Sequence, residues 1–162
     1  MQQVAVAFRS LFALLSVGLV GWPLVAYTGD MQRVIDTFYG QTTKEQVASF
    51  SGYPLEEQYA IYIYGNQVRH PPAIYLAAPF ARAGDKVVPF LLGRLKSAKD
   101  DPTVRDLVLV FSEMNRQTTY DVAGDAELMR QLESSIAAMK NQGWRGIAEG
   151  ELAEIRKSNA RS

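Results

Sequence analysis

Apolar side chains recur every three to four positions along most of the chain after residue 30, which is the spacing of helices that bury one face. Proline and glycine interrupt these runs at intervals, as expected where one helix ends and another begins. The clearest stripes are Leu91, Leu92 and Leu95, followed by Val104, Leu107 and Val108. The pattern predicts an all-α domain over residues 30–157, with a frayed tail at residues 158–162.

The segment from Tyr59 to Tyr64 is open to two interpretations. Its apolar and aromatic side chains alternate as in a strand, whereas the series that begins at Leu55 and reaches Asn66 has helical spacing. Glu56 and Glu57 make a favourable first helical turn, because acidic groups there complement the helix dipole. We therefore expect a helix here.

Several helix boundaries carry recognisable capping residues. Thr43 and Gln46 have the spacing of a capping box. Asp85 and Asp125 each precede an apolar stripe and are expected to cap the helices that follow. Gly84 suits the left-handed position just past a helix end. Because start and stop signals agree with the apolar period, the all-α prediction is consistent at several levels.

An uncharged stretch of about 20 residues, Ser10–Gly29, precedes this domain and is long enough to cross a bilayer core as a helix. Arg9 lies on its N-terminal side, which favours a cytoplasmic N-terminus. We expect residues 1–29 to form a membrane anchor and the following domain to be exported, into the periplasm of a bacterium. The alternatives are a secretory signal cut after Ala26, which would release the domain, and a buried helix of the domain itself.

The charge balance argues against binding to nucleic acid. The chain has 17 basic and 17 acidic residues, and Arg9 is the only charged residue before Asp30. The domain is therefore slightly acidic overall. A nucleic-acid binder needs a basic surface to displace counterions from phosphates, so no nucleic-acid partner is expected.

Two adjoining motifs resemble the helix pair of HEAT-type repeats. Residues 83–95 read AGDKVVPFLLGRL, similar to the G-D-x-A-V-P-x-L-L-x-x-L helix of that family, and residues 100–105 read DDPTVR, similar to its D-x-x-P-x-V-R helix start. The two motifs occur in the family's order. The resemblance covers residues 73–116, about one and a half repeats of a period near 40.

The resemblance implies stacked antiparallel helix pairs, a short α-solenoid in which each pair buries a face against its neighbour. Most repeats of this kind bind proteins, and a few related ones act as lyases on chromophores. We therefore expect a non-enzymatic protein-interaction or scaffold module, tethered to or exported across a membrane, with an unknown protein as its partner and no cofactor.

The chain has a single histidine, His70, and no cysteine, which excludes thiol chemistry, disulfides and a multi-histidine metal site. The alternative function is a small-ligand binder or enzyme in which His70 works with Asp121 or Asp125 in a cleft. The structural interpretation of the same residues is a helix-breaking His-Pro-Pro loop and a helix cap at Asp125. The aspartates lack the spacing of a calcium loop, so no metal site is expected.

Tyrosines are concentrated between residues 53 and 75, and such rings are common at protein interfaces because they are large and rigid with one polar tip. Because a helix presents one face inward, Tyr62 and Tyr64 are not both expected in the core. One of them is expected to line a groove with Arg69 and His70, while core packing is the alternative for the tyrosines as a group. The residues predicted to bind a partner are Tyr62, Tyr64, Arg69, His70, Tyr75, Tyr120 and Asp121.

Overall fold

The computed structural model describes residues 29–159, and every regular element in that range is helical. The all-α prediction is therefore confirmed for the described residues. Short 3-10 turns lie at Phe50–Gly52, Ile74–Leu76 and Gly84–Val87. The α-helices are α1 (Gly29–Tyr39), α2 (Thr43–Ser49), α3 (Leu55–Gln67), α4 (Ala77–Ala81), α5 (Val88–Ser97), α6 (Asp101–Arg116), α7 (Ala126–Ala137) and α8 (Gln142–Asn159).

Helix α3 contains the ambiguous segment, so the expected helix is confirmed. The alternation of side chains that resembles a strand results from the packing of α3 against other elements. Helix α3 packs against α1, α6 and the 3-10 turn Ile74–Leu76, so it buries residues all around its circumference. Ala60, Ile61, Tyr62 and Ile63 are consecutive and all buried. A helix enclosed in this way loses the single apolar stripe from which its period would be recognised.

The capping box predicted at Thr43 and Gln46 lies one residue earlier. The Thr42 backbone N–H donates to Glu45 Oε2 over 2.8 Å, and the Glu45 N–H donates to Thr42 Oγ1 over 3.4 Å. Hydrogen bonds from the Thr42 hydroxyl and backbone N–H lower the pKa of Glu45. Gln46 is instead buried and donates to the Gln41 carbonyl. The shift is reasonable because a carboxylate accepts these hydrogen bonds better than an amide does.

Of the two predicted aspartate caps, one is confirmed and one is wrong. Asp125 accepts hydrogen bonds from the first N–H groups of α7, both over 3.0 Å. Asp85 does not cap α5, because a 3-10 turn intervenes and α5 begins after Val87. Gly84 does adopt the expected left-handed conformation, with φ of 59°. A side chain there would also crowd the Thr119 carbonyl oxygen, which would lie 2.7 Å from the added Cβ.

Helix α6 is the centre of the packing. It contacts α3, α4, α5, α7 and α8, and α5 also packs against α7. This order, in which helices contact near neighbours along the chain, is compatible with a helical solenoid. The largest fully buried side chains of the core are Tyr62, Phe38, Phe50, Phe80, Phe111, Ile35, Ile61, Leu76, Leu91, Leu95, Leu107 and Met114.

Helix α8 is held more firmly than its weak apolar pattern predicts. Ala148, Leu152 and Ile155 are buried, and the helix packs along α6. The Asp101 carboxylate of α6 also accepts hydrogen bonds from the backbone N–H groups of residues 140 and 141, over 2.8 and 2.6 Å. Polar contacts to α6 therefore supplement a short apolar stripe.

Between residues 29 and 159, no helix is both long enough and apolar enough to span a bilayer. The stretch predicted to do so, residues 10–29, lies outside the described range except for Gly29, where α1 begins. The last three residues of the predicted tail also lie outside it. The anchor therefore stays a prediction.

Candidate partner-binding surface

The surface is built where α1 packs against α3. The Tyr39 ring, at the end of α1, lies against α3, and its hydroxyl donates to the Ile61 carbonyl over 2.9 Å. Gly65 makes this possible, because a Cβ at that position would overlap the Tyr39 hydroxyl and would lie 2.7 Å from Ala73 Cβ. Glycine inside a helix is unfavourable by about 1 kcal/mol relative to alanine, so its presence here reflects the need for space.

Arg69 lies on this aromatic platform. Its guanidinium carbon is 4.5 Å from the centroid of the Tyr39 ring, a cation–π distance. The residue is exposed, and no carboxylate of the described residues pairs with it. The stack therefore holds a positive charge at the surface without neutralising it.

Two further tyrosines border Arg69. The Tyr64 ring is half-buried, with its centroid 6.0 Å from that of Tyr39. Tyr75 is also half-buried, and its hydroxyl donates to the Gln46 side chain. Burial raises the pKa of Tyr75 and the nearby Arg69 charge opposes that rise.

Exposed apolar side chains complete the surface. Val68 is 57 % exposed and Ile74 is 60 % exposed, more than any other large apolar residue among the described ones. They flank the exposed loop of residues 69–72, in which the peptide bond between His70 and Pro71 is cis. We call the resulting region the Arg69 surface, and its members are Tyr39, Tyr64, Val68, Arg69, Ile74 and Tyr75.

Tyr62, which the sequence predicts as a partner-binding residue, does not belong to this surface. Its side chain is fully buried, and its hydroxyl donates to the Asp106 carbonyl over 2.9 Å. Burial raises the pKa of Tyr62 well above its ordinary value. Of the two neighbouring tyrosines, only Tyr64 is partly exposed, in agreement with the prediction that they do not both lie in the core.

Tyr120 and Asp121 have structural contacts away from the Arg69 surface. The Tyr120 hydroxyl donates to Asp125 over 2.6 Å, and this hydrogen bond, with burial second, raises the pKa of Tyr120 to about 12. Asp121 accepts from the Gly124 backbone N–H over 2.9 Å. These contacts order the loop that leads into α7.

His70 is exposed beside Arg69. No hydrogen bond or ion pair in the described part of the chain joins it to Asp121 or Asp125. The aspartates are instead engaged with Gly124, with Tyr120 and with the start of α7. The structure therefore gives no contact that would assemble the predicted acid–base group.

Two open grooves lie on the surface of the described residues. One, of about 670 Å³, includes Gly40, the residue that follows Tyr39 in the chain. It is lined by Gly40, Gln41, Glu45, Ala48 and Ser49. The other, of about 360 Å³, lies between the start of α3 and α5 and is lined by Glu56, Pro89, Phe90, Gly93, Arg94 and Ser97.

Arg94 in the smaller groove resembles Arg69 but is neutralised. Its guanidinium carbon lies 4.8 Å from the Tyr59 ring centroid and 4.9 Å from that of Phe90. It also forms an ion pair with Glu56. Arg94 therefore fastens α5 to α3, whereas Arg69 has no acidic partner among the described residues.

A third stacked arginine, Arg105, lies inside the fold. Its guanidinium carbon is 4.2 Å from the Trp144 ring centroid, and its Nε donates to Asp106 Oδ1 over 2.9 Å. Asp106 Oδ2 accepts from Gln67 over 3.2 Å, which joins α3, α6 and α8. Burial raises the pKa of Asp106 to about 6, although Arg105 opposes the rise. This buried pair is part of the core and not of a site.

The sequence reasoning missed Tyr39, Val68 and Ile74. Tyr39 belongs to α1, which is distant in sequence, and nothing local places it beside Arg69. Gly65 was the one available signal, since an isolated glycine inside a helical pattern often marks close packing. The exposure of Val68 and Ile74 depends on the path of the loop and has no sequence signature.

No protein-family model, no curated protein and no solved structure matches this chain. Any functional conclusion therefore has to come from the residues and their geometry.

Proposed function

We propose that the chain is a non-enzymatic protein-interaction module, held at a membrane by its N-terminal segment, and that the Arg69 surface binds its partner. The observation that carries the proposal is the guanidinium of Arg69, which lies on the Tyr39 ring without an acidic partner among the described residues, in a stretch of chain with two exposed apolar side chains. Protein interfaces are enriched in arginine and in aromatic residues with these properties.

The amount of exposed apolar surface supports this proposal. Single exposed apolar residues are ordinary, but Val68 and Ile74 flank one short loop. The other large exposed apolar residue among the described ones, Ile147, lies on α8 and is 45 % exposed. Two exposed apolar residues at the ends of one loop suit an interaction surface.

We further propose that the fold is HEAT-like. The DDPTVR motif supports this, because each part has a contact suited to a repeat. Asp100 caps α6 through the Thr103 N–H over 2.8 Å, and Asp101 accepts from the loop before α8. Arg105 packs on Trp144 of α8. These residues link one helix pair to the next.

Residues 10–29 support a membrane location for the domain. We propose a single span with the helical domain exported, periplasmic in a bacterium, or a secreted or periplasmic domain if the segment is removed after Ala26. Carbonate extraction distinguishes these. An anchored chain stays in the membrane pellet at full length, whereas a cleaved one is released as a shortened product.

The alternative function, a small-ligand binder or enzyme using His70 with Asp121, has less support. It requires convergence of side chains for which the described residues give no contact, and both grooves are open to solvent. Binding sites for small molecules usually enclose most of the ligand.

Site-specific photocrosslinking in cells tests the proposal. We would place a photoreactive amino acid at position 64 or 68 of the full chain, with position 147 as the matched exposed control. The expected result is one protein adduct from positions 64 and 68 that is absent from position 147. The same adduct should disappear when Arg69→Glu is combined with the label.

An adduct that forms equally from position 147, or that survives the charge reversal, would contradict a role for the Arg69 surface. Arg94→Glu is the control for the substitution itself, because Arg94 is also stacked on aromatic rings and is already paired with Glu56. It should leave the adduct unchanged.

A further inference from the structure

The orientation of Arg69 restricts what its partner can be. A guanidinium uses its face to stack on an aromatic ring, while its N–H donors point outward in the plane of the group. Arg69 is exposed, and no described carboxylate accepts from it, so its donors have no acidic partner among the described residues. Their fork matches the two oxygens of a carboxylate, which arginine binds more strongly and more specifically than it binds neutral acceptors.

The neighbours of Arg69 add an apolar requirement. Val68 precedes Arg69 directly and Ile74 follows it by five residues, and both are mainly exposed, so a partner that covers this stretch of chain meets apolar side chains. Pro71 and Pro72 have no backbone N–H group, so this loop is poorly suited to pair with a partner strand. Recognition by side chains is therefore favoured over addition of a strand.

We infer that the Arg69 surface recognises a protein segment in which an Asp or Glu carboxylate is flanked by apolar side chains, with the carboxylate bound by Arg69 and the apolar groups on Val68 and Ile74. This inference rests on the proposed function and names the chemistry of its partner. The positive charge of Arg69 is complementary to an acidic partner.

Defined peptide libraries test the inference with the full-length chain in detergent micelles. Each library contains short peptides with apolar residues around a central position that is Asp or Glu, Asn or Gln, or Lys or Arg. The acidic library should bind best. Arg69→Glu should weaken that binding by roughly tenfold and shift the preference to the basic library, as expected for one interfacial charge pair.

Matched variants show whether a loss of peptide binding is specific to the Arg69 surface. Val68→Ser and Ile74→Ser should each weaken binding of the acidic library by a few fold, whereas Ile147→Ser and Arg94→Glu should not. Arg69→Gln removes the charge without reversing it and should give an intermediate loss. Circular dichroism and thermal unfolding of each variant confirm that it is folded before its binding is compared.

The outcomes distinguish failure of the inferred acidic partner from failure of the proposed protein-binding function. Binding of neutral peptides that depends on Val68 and Ile74 but not on Arg69 would overturn the acidic partner and leave the protein-binding function standing. Binding by no library, with a photoreactive residue at position 68 labelling lipid or residues 10–28 of the same chain, would overturn both. Equal losses in Arg69→Glu and Arg94→Glu would also overturn the inference.

Discussion

Arg69 and Arg105 are both stacked on an aromatic ring at similar distance, yet they lie in opposite environments. Arg105 is 7 % exposed, and its charge is balanced by Asp106 within a core shared by three helices. Arg69 is exposed on the Tyr39 ring, and no described carboxylate balances it. The same side-chain contact therefore serves the fold at one position and leaves a charge available for binding at the other.

The difference lies in how each positive charge is compensated. A buried charge needs a partner because its desolvation is costly, and removal of that partner is strongly destabilising. An exposed charge is solvated and needs none. Substitution of Arg105 should therefore lower the free energy of unfolding more than substitution of Arg69 does. Substitution of Arg69 should lower the affinity for a partner more than substitution of Arg105 does.

The largest expected effect is that of Arg105→Ala. It leaves the Asp106 carboxyl buried without its cation and removes the packing on Trp144, so we expect a loss of about 3–5 kcal/mol in the free energy of unfolding. Arg69→Ala should cost less than about 1 kcal/mol, since only an exposed cation–π contact is lost. Urea unfolding of the full-length chain in detergent, followed by circular dichroism, measures both. Equal losses would remove the contrast between the two regions.

The next effect concerns the pH dependence of Asp106. Its pKa is about 6 in the folded chain against 3.8 as the ordinary value. Between these values the folded state binds more protons than the unfolded state, so the contribution of this group to stability falls as pH rises from about 4 to 6. The total change is about 3 kcal/mol, from a shift of roughly two pKa units at 1.36 kcal/mol each.

Asp106→Asn removes this titration and is the variant for the measurement. The unfolding free energy of the wild type minus that of the variant should decline by about 3 kcal/mol from pH 4 to pH 7, with most of the change between the two pKa values. Arg69→Gln, compared in the same way, should give a difference that is flat over this range. A flat difference for Asp106→Asn would mean that the carboxyl is better solvated than its burial indicates.

Two glycine-to-alanine substitutions inside helices test the packing of Tyr39 under Arg69. Gly65→Ala is the test, and Gly93→Ala is its control. Gly65→Ala introduces a Cβ that overlaps the Tyr39 hydroxyl, so we expect a loss of about 1–3 kcal/mol, as for other overpacked sites. Gly93→Ala places its Cβ in open space on α5 and should raise stability by up to about 1 kcal/mol. Thermal unfolding of the two variants should therefore shift in opposite directions. A neutral Gly65→Ala would show that Tyr39 is not tightly packed on α3.

Most of the fold could be predicted because helical period and capping chemistry are local. The apolar stripe of α6 and the Asp125 cap both appear in the structure as the sequence predicts. Errors arose where competition between neighbours decides the outcome. Glu45 is a better acceptor than Gln46, so the capping box moved to Thr42.

Less of the candidate surface could be predicted, because it depends on contacts between distant segments. The alternation of faces predicted that either Tyr62 or Tyr64 would reach solvent, but only the approach of α6 shows that Tyr62 is the buried one. The stack of Arg69 on Tyr39 joins residues of different helices through the space left by Gly65. Short sequence motifs do not predict such a contact.

Arg94 has an environment intermediate between those of Arg69 and Arg105, and the differences in stability that it predicts are small. This side chain is about one-third exposed, is paired with Glu56 and is stacked on two rings. Arg94→Ala should cost about 1 kcal/mol, between the losses at Arg69 and Arg105, from an ion pair and cation–π packing at a solvated site. Urea unfolding, measured as for the other arginines, gives this value.

Salt distinguishes the exposed arginines even where their losses are close. Raising the ionic strength from about 0.1 M to 1 M shortens the Debye length from about 10 to 3 Å and should reduce the loss caused by Arg94→Ala, because the pair with Glu56 is screened. The loss caused by Arg69→Ala should change less, because no described carboxylate pairs with this residue. A strong salt dependence at Arg69 would show that an acidic group already neutralises it in the folded chain, and the surface would then have no charge to offer a partner.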